Sequence, residues 1–276
     1  MSTLRELLQT AREYLSQHEI ADASVDAWYL LAHVFGISRT DYYLNCESPV
    51  PEEKLKAYME LVEQRGRHIP LQLLTGTQEF MGLEFEVTSD VLIPRQDTEV
   101  LVEEVLKVCN NKSVLDMCTG SGCIIISLAK LGHVKLAVGV DISTKALNVA
   151  KKNAMKHKVT IDFLQSDLFD QVEGKYDIIV SNPPYIPTRE IPKLMLEVRD
   201  HEPILALDGE ADGLAFYRRI TKSAMEYLED HGYLFLEIGY NQGIKVKELL
   251  QNAGFQEIQI IKDLSGLDRV VIGRKS

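Results

Sequence analysis

Seven short runs of strand-forming residues follow residue 95, and they constrain the fold more than any other feature. They lie at 113–117, 135–140, 160–164, 176–180, 233–238, 257–261 and 269–272. Helical segments separate most of them, and this alternation predicts a doubly wound parallel sheet between helices. Only Asp263 to Asp268 separates the last two runs, which is too short for a crossover helix and predicts a hairpin at the sheet edge. We therefore expect an α/β domain over residues 95–276.

The first 75 residues have a different periodicity. Apolar residues recur at helical spacing from Leu4 to Leu15 and again from Val25 to Val34, and further helices are predicted after Ser38 and from Pro51. This pattern predicts a small helical bundle over residues 1–75, either a stabilising cap or a partner-docking domain. Strand-like alternation with a turn at Met81-Gly82 predicts a β-hairpin linker over residues 76–94.

Composition argues against several classes of function. The chain has 276 residues and a net charge of −11, which argues against broad attraction to nucleic-acid phosphates. Its four cysteines form no Cys-x-x-Cys motif and its seven histidines no His-Glu-x-x-His motif, so no metal site is predicted. No stretch approaches the roughly 20 apolar residues of a membrane span. We expect a cytoplasmic protein that does not contact a membrane.

The most informative motif is Asn182-Pro183-Pro184-Tyr185, directly after the fourth strand-forming run. Ligands collect at the carboxyl ends of parallel strands, so this loop is expected to face a binding crevice. The prolines stiffen it and remove backbone N–H donors, which leaves the Asn182 side-chain oxygen and backbone carbonyls as acceptors. Acceptors of this kind suit a planar amino group with two N–H donors, and the Tyr185 ring could cover it. Taken alone, the two prolines would more often mark only a turn, and the neighbouring motifs favour the binding role.

The loop after the first run has the composition of a cofactor-binding turn. Its candidate residues are Asp116, Cys118, Thr119, Gly120, Ser121 and Gly122. Asp141 ends the next strand, where a carboxylate can accept from the hydroxyls of a ribose. Ile125 stands where a dinucleotide fingerprint requires glycine, so S-adenosylmethionine is favoured, with Asp116 near its cationic amino group. A helix cap at Asp141 and a solvated strand end at Asp116 remain alternatives.

The loop after the third run completes this set. Asp167 is placed to accept from an adenine amino group, and Leu168 or Phe169 to cover the ring. Loops after four successive strands thus carry ligand-type residues. Because these strands are expected to be parallel, all four loops should meet at one edge of the sheet.

Together these motifs resemble class I S-adenosylmethionine-dependent methyltransferases that act on planar nitrogen. Further matching segments are Leu92-Ile93-Pro94-Arg95-Gln96-Asp97-Thr98-Glu99, Glu202-Pro203, Ala206-Leu207-Asp208-Gly209, Asp212-Gly213-Leu214, Phe216-Tyr217, Glu237-Ile238-Gly239 with Gln242, and Asp263-Leu264-Ser265-Gly266 with Asp268-Arg269. Over its whole length the chain resembles the HemK/PrmC family of peptide chain release factor N5-glutamine methyltransferases.

The resemblance implies a Rossmann-like, seven-stranded methyltransferase domain and an amino-terminal domain that grips the substrate. The implied substrate is the glutamine of the Gly-Gly-Gln loop of class one release factors, the proteins of translation termination. Asn182 and Pro183 would be the catalytic residues, with Pro184 and Tyr185 completing the substrate site and Asn182 also near the cofactor. No direct nucleic-acid contact is expected.

Two positions depart from the family pattern. Cys118 stands where many members have glycine, and Gln96-Asp97 replaces a more proline-rich segment. Cys118 is expected to keep the turn while slightly weakening cofactor affinity, and Gln96 to loosen its loop.

Three other functions stay open. An exocyclic amine of adenine (N6) or guanine (N2) in nucleic acid presents the same two donors, although the negative charge weighs against it. A ribosomal-protein glutamine would undergo the same chemistry. A cofactor-binding scaffold without turnover would require a broken site, whereas every expected position is filled.

Overall fold

A computed structural model describes residues 2–276, which divide into two compact units. The first unit contains the described residues up to Thr77 together with Met195–His201, and the second contains Gln78–Leu194 and Glu202–Ser276. The domain limits expected at residues 75 and 94 stay a prediction. The compact units show where the chain divides and do not show what either part does.

The helices and strands follow the expected alternation. In chain order the helices are α1 (Leu4–Gln17), α2 (Ala23–Phe35), α3 (Arg39–Asn45), α4 (Glu52–Gly66), α5 (Leu71–Thr75), α6 (Gln96–Leu106), α7 (Cys123–Leu131), α8 (Thr144–His157), a 3₁₀ helix (Thr188–Lys193), α9 (Leu196–His201), α10 (Ile204–Leu207), α11 (Ala215–Tyr227) and α12 (Gly243–Asn252). The strands are β1 (Thr77–Phe80), β2 (Leu83–Glu86), β3 (Ser113–Met117), β4 (Leu136–Asp141), β5 (Asp162–Gln165), β6 (Tyr176–Ser181), β7 (Leu228–Glu237), β8 (Gln256–Lys262) and β9 (Asp268–Arg274). Within the described residues, no helix is long and apolar enough to cross a bilayer.

The first unit is a helical bundle, and several of its helices begin or end at residues typical of helix caps. Thr3 caps α1 in a reciprocal capping box with Glu6, and Ser38 caps α3 in the same way with Asp41. α2 ends at Phe35 and is capped by Gly36, whose φ of 65° is readily adopted by glycine. The helices bury a common core that includes Leu8, Leu15, Leu30, Leu31 and Tyr58.

A buried ion pair explains why a distant segment belongs to this unit. Arg65 Nε lies 2.6 Å from Asp26 Oδ2, and Arg65 Nη2 lies 2.5 Å from Glu197 Oε1 of α9. Burial raises the pKa of Asp26, although Arg65 acts in the opposite direction. The guanidinium therefore links Glu197 of α9 to Asp26 of α2 in the bundle. Removing the guanidinium would leave Asp26 buried without its partner.

The predicted hairpin is formed by β1 and β2. Met81 and Gly82 form its turn with φ values of 53° and 70°, the two positive angles typical of a tight hairpin turn. Phe80 and Phe85 pack edge to face beside it, with ring centroids 6.1 Å apart.

The second unit contains a seven-stranded sheet in the order β5-β4-β3-β6-β7-β9-β8. The pairs from β5 to β7 are parallel, whereas β9 runs antiparallel to both β7 and β8. The predicted α/β class and the hairpin at the sheet edge are thus confirmed. Alternate residues of the central strands enter different cores: Leu115 and Ile179 belong to one, and Val114 and Ile178 to the other. The sheet is therefore buried on both faces.

The strand order reverses between β3 and β6. β4 and β5 lie to one side of β3, whereas β6 and β7 lie to the other. A reversal of this kind opens a crevice at the carboxyl ends of the strands, where α/β proteins bind ligands. The loops after β3, β4, β5 and β6 all reach this edge.

Candidate active site

A cavity of about 350 Å³ lies at this edge of the sheet, within the volume typical of small-molecule sites. The predicted residues that line it are Cys118, Thr119, Gly120, Ser121, Asp141, Asp167, Leu168, Asn182 and Pro184. The structure thus brings the four loops together as the parallel arrangement required.

The β3 loop turns sharply through left-handed backbone conformations. Cys118 has a φ of 63° and Gly120 a φ of 56°. A Cβ added at Gly120 would meet no protein atom within 4 Å, and Gly120 lines the cavity, so a side chain there would enter space available to a ligand. The Cβ of Cys118 is sterically unfavourable at this left-handed φ, and glycine, which has no Cβ, would suit the position better.

Gly122 has a different role from Gly120. It does not line the cavity, and a Cβ added to it would lie 2.9 Å from Ile126 Cδ1 and 3.1 Å from Ala150 Cβ. The absence of a side chain therefore lets α7 approach α8. Contact between Gly122 and a cofactor stays a prediction without support from this geometry.

Asp141 organises the loop that it faces. Its Oδ2 accepts from the Gly120 backbone N–H and its Oδ1 from that of Ser143, each at 2.9 Å. Burial raises its pKa, although these N–H groups act in the opposite direction. The side-chain cap of α8 is Ser143, so the helix-cap alternative for Asp141 is wrong. Each carboxylate oxygen keeps a further lone pair that can accept from a hydroxyl group of a ligand.

Asp116 is fully buried and does not line the cavity, so the solvated-strand-end alternative is wrong. Its Oδ2 accepts from Thr119 Oγ1 at 2.5 Å, and burial raises its pKa to about 7. The predicted direct contact with a cationic amino group is therefore not supported by this geometry. Asp116 instead fixes Thr119, which does line the cavity.

The loop after β5 distinguishes two candidates for covering an adenine ring. Leu168 lines the cavity with a φ of 52°, whereas Phe169 stacks on Tyr227 in the core with ring centroids 4.7 Å apart. Asp167 Oδ1 lies 2.8 Å from Arg219 Nη2. Arg219 comes from α11 and also lines the cavity, and our sequence reasoning missed it.

In the Asn182 loop, the Asn182 side chain lies at the cavity wall and its Nδ2 donates to Thr98 Oγ1 at 3.3 Å. Pro184 lines the cavity, whereas Pro183 and Tyr185 do not. The backbone oxygen of Tyr185 accepts from Gln242 Nε2 at 3.0 Å, and burial raises the pKa of its phenol. The roles predicted for Pro183 and Tyr185 stay predictions.

Residues at the start of α6 contribute a further wall. Arg95 and Thr98 line the cavity, and Arg95 pairs with the buried Glu202. Only the family resemblance drew attention to this segment. No pattern of spacing connects Arg95 with Glu202, which lies far along the chain.

The polar side chains that line the cavity carry carboxylate, amide, hydroxyl, thiol and cationic groups. Across residues 2–276 no group of three or more His, Cys, Asp or Glu side chains could hold a metal ion. Burial raises the pKa of the Cys118 thiol and brings that of Cys123 to about 12, so both are protonated at neutral pH. Thiolate chemistry at the two cysteines of this loop is therefore disfavoured.

Comparisons with known proteins agree with this architecture. Residues 6–76 match the family model described as PrmC N-terminal domain, and residues 95–198 match the Methyltransferase small domain. The chain is 43% identical over 275 residues to the release factor glutamine methyltransferase of Geobacter sulfurreducens, covering 99% of this chain and 96% of that protein. It is 39% identical over 280 residues to the enzyme of the same name from Clostridium botulinum, covering 99% of each. A methyltransferase structure from Pyrococcus furiosus shares the fold, with a TM-score of 0.55 at 16% identity, over 71% of this chain and 91% of that one.

Proposed function

Because the chain belongs to the release factor glutamine methyltransferase family, we propose that it methylates the side-chain amide nitrogen (N5) of the Gly-Gly-Gln glutamine in class one release factors. The chain is an S-adenosylmethionine-dependent methyltransferase. The observation that carries the choice of acceptor is Asn182, which lies at the wall of the cavity on a proline-stiffened loop.

The residues around the cavity fit S-adenosylmethionine. Gly120 leaves room where a side chain would intrude, and both Asp141 oxygens keep a lone pair for the ribose hydroxyls. Leu168 offers an apolar surface for adenine beside the Asp167 carboxylate. When bound, this cofactor supplies a methyl group activated by its attachment to a sulfonium.

The Asn182 loop would activate a poor nucleophile. The lone pair of a carboxamide nitrogen is delocalised into its carbonyl, so the site must favour the state with more electron density on nitrogen. Asn182 Oδ1 and the Pro183 carbonyl oxygen would accept hydrogen bonds from the two N–H groups of the substrate carboxamide. They would thereby orient its nitrogen toward the methyl group. Transfer from the bound cofactor would break the methyl–sulfur bond as the C–N bond forms and would leave a neutral thioether. The nitrogen would become acidic in this step and would release one proton to water, so no strong base is required beforehand.

The proposal also names a protein partner and a cytoplasmic location for this chain. The helical unit grips the release factor away from the reactive loop, consistent with its match over residues 6–76. A net charge of −11 supports a protein rather than a nucleic-acid partner. All four cysteines are free, as is usual for a cytoplasmic protein.

Mass spectrometry tests the proposal directly. The purified chain is incubated with S-adenosylmethionine and a class one release factor, beside a release factor whose loop glutamine is replaced by alanine. One added methyl group on that glutamine, absent from the alanine control, is the expected result. No methylation, although calorimetry shows that the cofactor binds, would overturn it.

A further inference from the structure

Asn153 is a buried polar residue of α8 to which the proposed transfer assigns no role. It is fully buried, although asparagine is a poor helix former and an unpaired amide is costly to bury. Its Oδ1 accepts from the Glu86 backbone N–H at 2.7 Å, and its Nδ2 donates to the Glu86 backbone oxygen at 3.0 Å. Nδ2 also donates to the Ser121 backbone oxygen at 3.0 Å. These bonds use both donors of the amide, so its orientation is fixed.

The two segments that Asn153 joins form different parts of the cavity wall. Ser121 lines the cavity in the loop after β3. Glu86 is the last residue of β2, and the chain that follows it supplies the wall residues Ser89, Asp90, Val91, Leu92, Pro94 and Arg95. Asn153 itself does not line the cavity. Its amide therefore connects the loop after β3 with the segment after β2 from outside the cavity.

Other side chains of α8 also contact β2 and the segment after it. Lys156 Nζ lies 2.7 Å from Glu84 Oε1, and His157 Nε2 lies 2.9 Å from the Glu84 backbone oxygen. Lys145 Nζ lies 3.2 Å from Asp90 Oδ1. These contacts lie at the surface, where ion pairs contribute little to stability. They do not involve the loop after β3, so they cannot replace the hydrogen bond that Asn153 donates to that loop.

The bond to Ser121 holds the loop after β3 against α8. Next to Ser121, a Cβ added at Gly122 would lie 3.1 Å from Ala150 Cβ. Ala150 precedes Asn153 by three residues and therefore lies on the same face of the helix. The loop after β3 thus rests on this face of α8. Loss of the Asn153 bond would free the Ser121 carbonyl beside Gly120, where space is available to a ligand.

We propose that Asn153 is a positioning residue for S-adenosylmethionine, which sets the separation between the loop after β3 and the segment after β2. Asn153 does not touch the cofactor. Because it holds Ser121 and Glu86 on one amide, it keeps two parts of the wall at the spacing that the cofactor requires, and its effect is on cofactor affinity. The inference rests on the proposed function for the cofactor site and not for the identity of the methyl acceptor.

Isothermal titration calorimetry of the full chain with S-adenosylmethionine tests the inference. Asn153→Asp keeps the shape and the acceptor for the Glu86 N–H, but it places a carboxylate oxygen against the backbone oxygens of Ser121 and Glu86. We expect a Kd raised by about tenfold or more, because repulsion replaces two buried hydrogen bonds. Asn148→Asp makes the same substitution at an exposed position of the same helix. This matched control should keep a Kd within about twofold of the parent value.

The transfer step separates positioning from general stabilisation. At saturating S-adenosylmethionine, single-turnover transfer by Asn153→Asp should stay within about threefold of the parent rate, because the hydrogen bonds of Asn153 lead to Glu86 and Ser121 and not to the Asn182 loop. A merely structural residue would instead lower the midpoint of thermal unfolding and leave the Kd of the folded chain unchanged. That result, an equal rise of Kd in Asn148→Asp, or a saturated rate that falls as far as the affinity would overturn the positioning role while leaving the methyltransferase function intact.

The parent chain supplies a test that does not require a folded variant. With isotope-labelled asparagine, the side-chain NH₂ protons of Asn153 should exchange with solvent more slowly once S-adenosylmethionine binds, because the cofactor confines the Ser121 loop to which they bond. The exposed NH₂ group of Asn148 should not change. An unchanged exchange rate at Asn153 would overturn the link. No cofactor binding by the parent chain would overturn the cofactor site and this inference with it, whereas bound cofactor without methylation of the release factor would overturn the proposed acceptor alone.

Discussion

Asp141 offers the sharpest test of the cofactor site, because its carboxylate has two separable tasks. It accepts from the backbone N–H groups of Gly120 and Ser143, and we propose that its remaining lone pairs bind the ribose hydroxyls. In Asp141→Asn the side-chain NH₂ must face one of these two N–H donors, because each carboxylate oxygen accepts from one of them. The shape is kept, and the acceptor capacity is halved.

The expected loss follows from the strength of such bonds. Hydrogen bonds to a charged group contribute about 1.5–3 kcal/mol each, so losing one or two raises the Kd for S-adenosylmethionine by about 10²-fold. Isothermal titration calorimetry measures this change, and thermal unfolding checks that the fold is kept. A Kd within about threefold of the parent value would refute the reasoning, since a threefold change is well under 1 kcal/mol.

A double-mutant cycle separates the two tasks of Asp141. The second perturbation is the ligand, S-adenosylhomocysteine against its 2′-deoxy analogue. If Asp141 binds the ribose, removing the hydroxyl should cost the parent chain at least about 1 kcal/mol more than it costs Asp141→Asn. Zero coupling with a raised Kd would mean that Asp141 only shapes the Gly120 loop.

Three further predictions concern the Asn182 loop, the turn after β3 and the helical unit. Asn182→Ala should slow methyl transfer by about 10²-fold or more while the Kd of the cofactor stays nearly unchanged, and equal losses in both would contradict its acceptor role. Cys118→Gly should unfold in denaturant with a free energy about 1 kcal/mol higher than Cys118→Ala, because only alanine keeps a Cβ at a φ of 63°; equal stabilities would contradict this. Arg65→Met should lower the free energy of unfolding by about 3–5 kcal/mol, because Asp26 loses its buried partner, and Asp26→Asn in the same chain should recover part of that loss. No recovery would show that packing of the Arg65 stem dominates.

The sequence predicts strands and their loops better than it predicts what surrounds them. The first run, 113–117, coincides with β3, because Val114, Leu115 and Met117 supply apolar side chains to the cores on both faces of the sheet. β7 begins at Leu228, five residues before its predicted start, since pairing of Leu228 with Tyr176 rather than composition makes this segment a strand. Pairing between distant segments leaves no local pattern.

The same limit applies to the candidate site. Ends of parallel strands must meet at one edge, so the positions of Asp141 and Asn182 could be predicted from their loops. Arg219 comes from a helix far along the chain, and its contact with Asp167 depends on how α11 packs. Burial of Asp116 also depends on tertiary packing, and this is why a residue expected at the cavity lies behind it.

The Asn182 loop, Asn182-Pro183-Pro184-Tyr185, is anchored at both ends. Residues outside the cavity can therefore influence the proposed methyl transfer through these anchors. Asn182 is held by Thr98, whereas the Tyr185 backbone oxygen accepts from Gln242 Nε2, which also donates to Gly213 O at 3.1 Å. Gly213 has a φ of 75° and packs so closely that any side chain there would collide with the Tyr185 oxygen. Between these anchors the two prolines have no N–H groups to bond elsewhere, so their carbonyls follow the position of the loop ends. Because the proposed catalysis depends on placing two acceptors rather than on a strong base, small shifts at either anchor should reduce the rate before they reduce cofactor affinity.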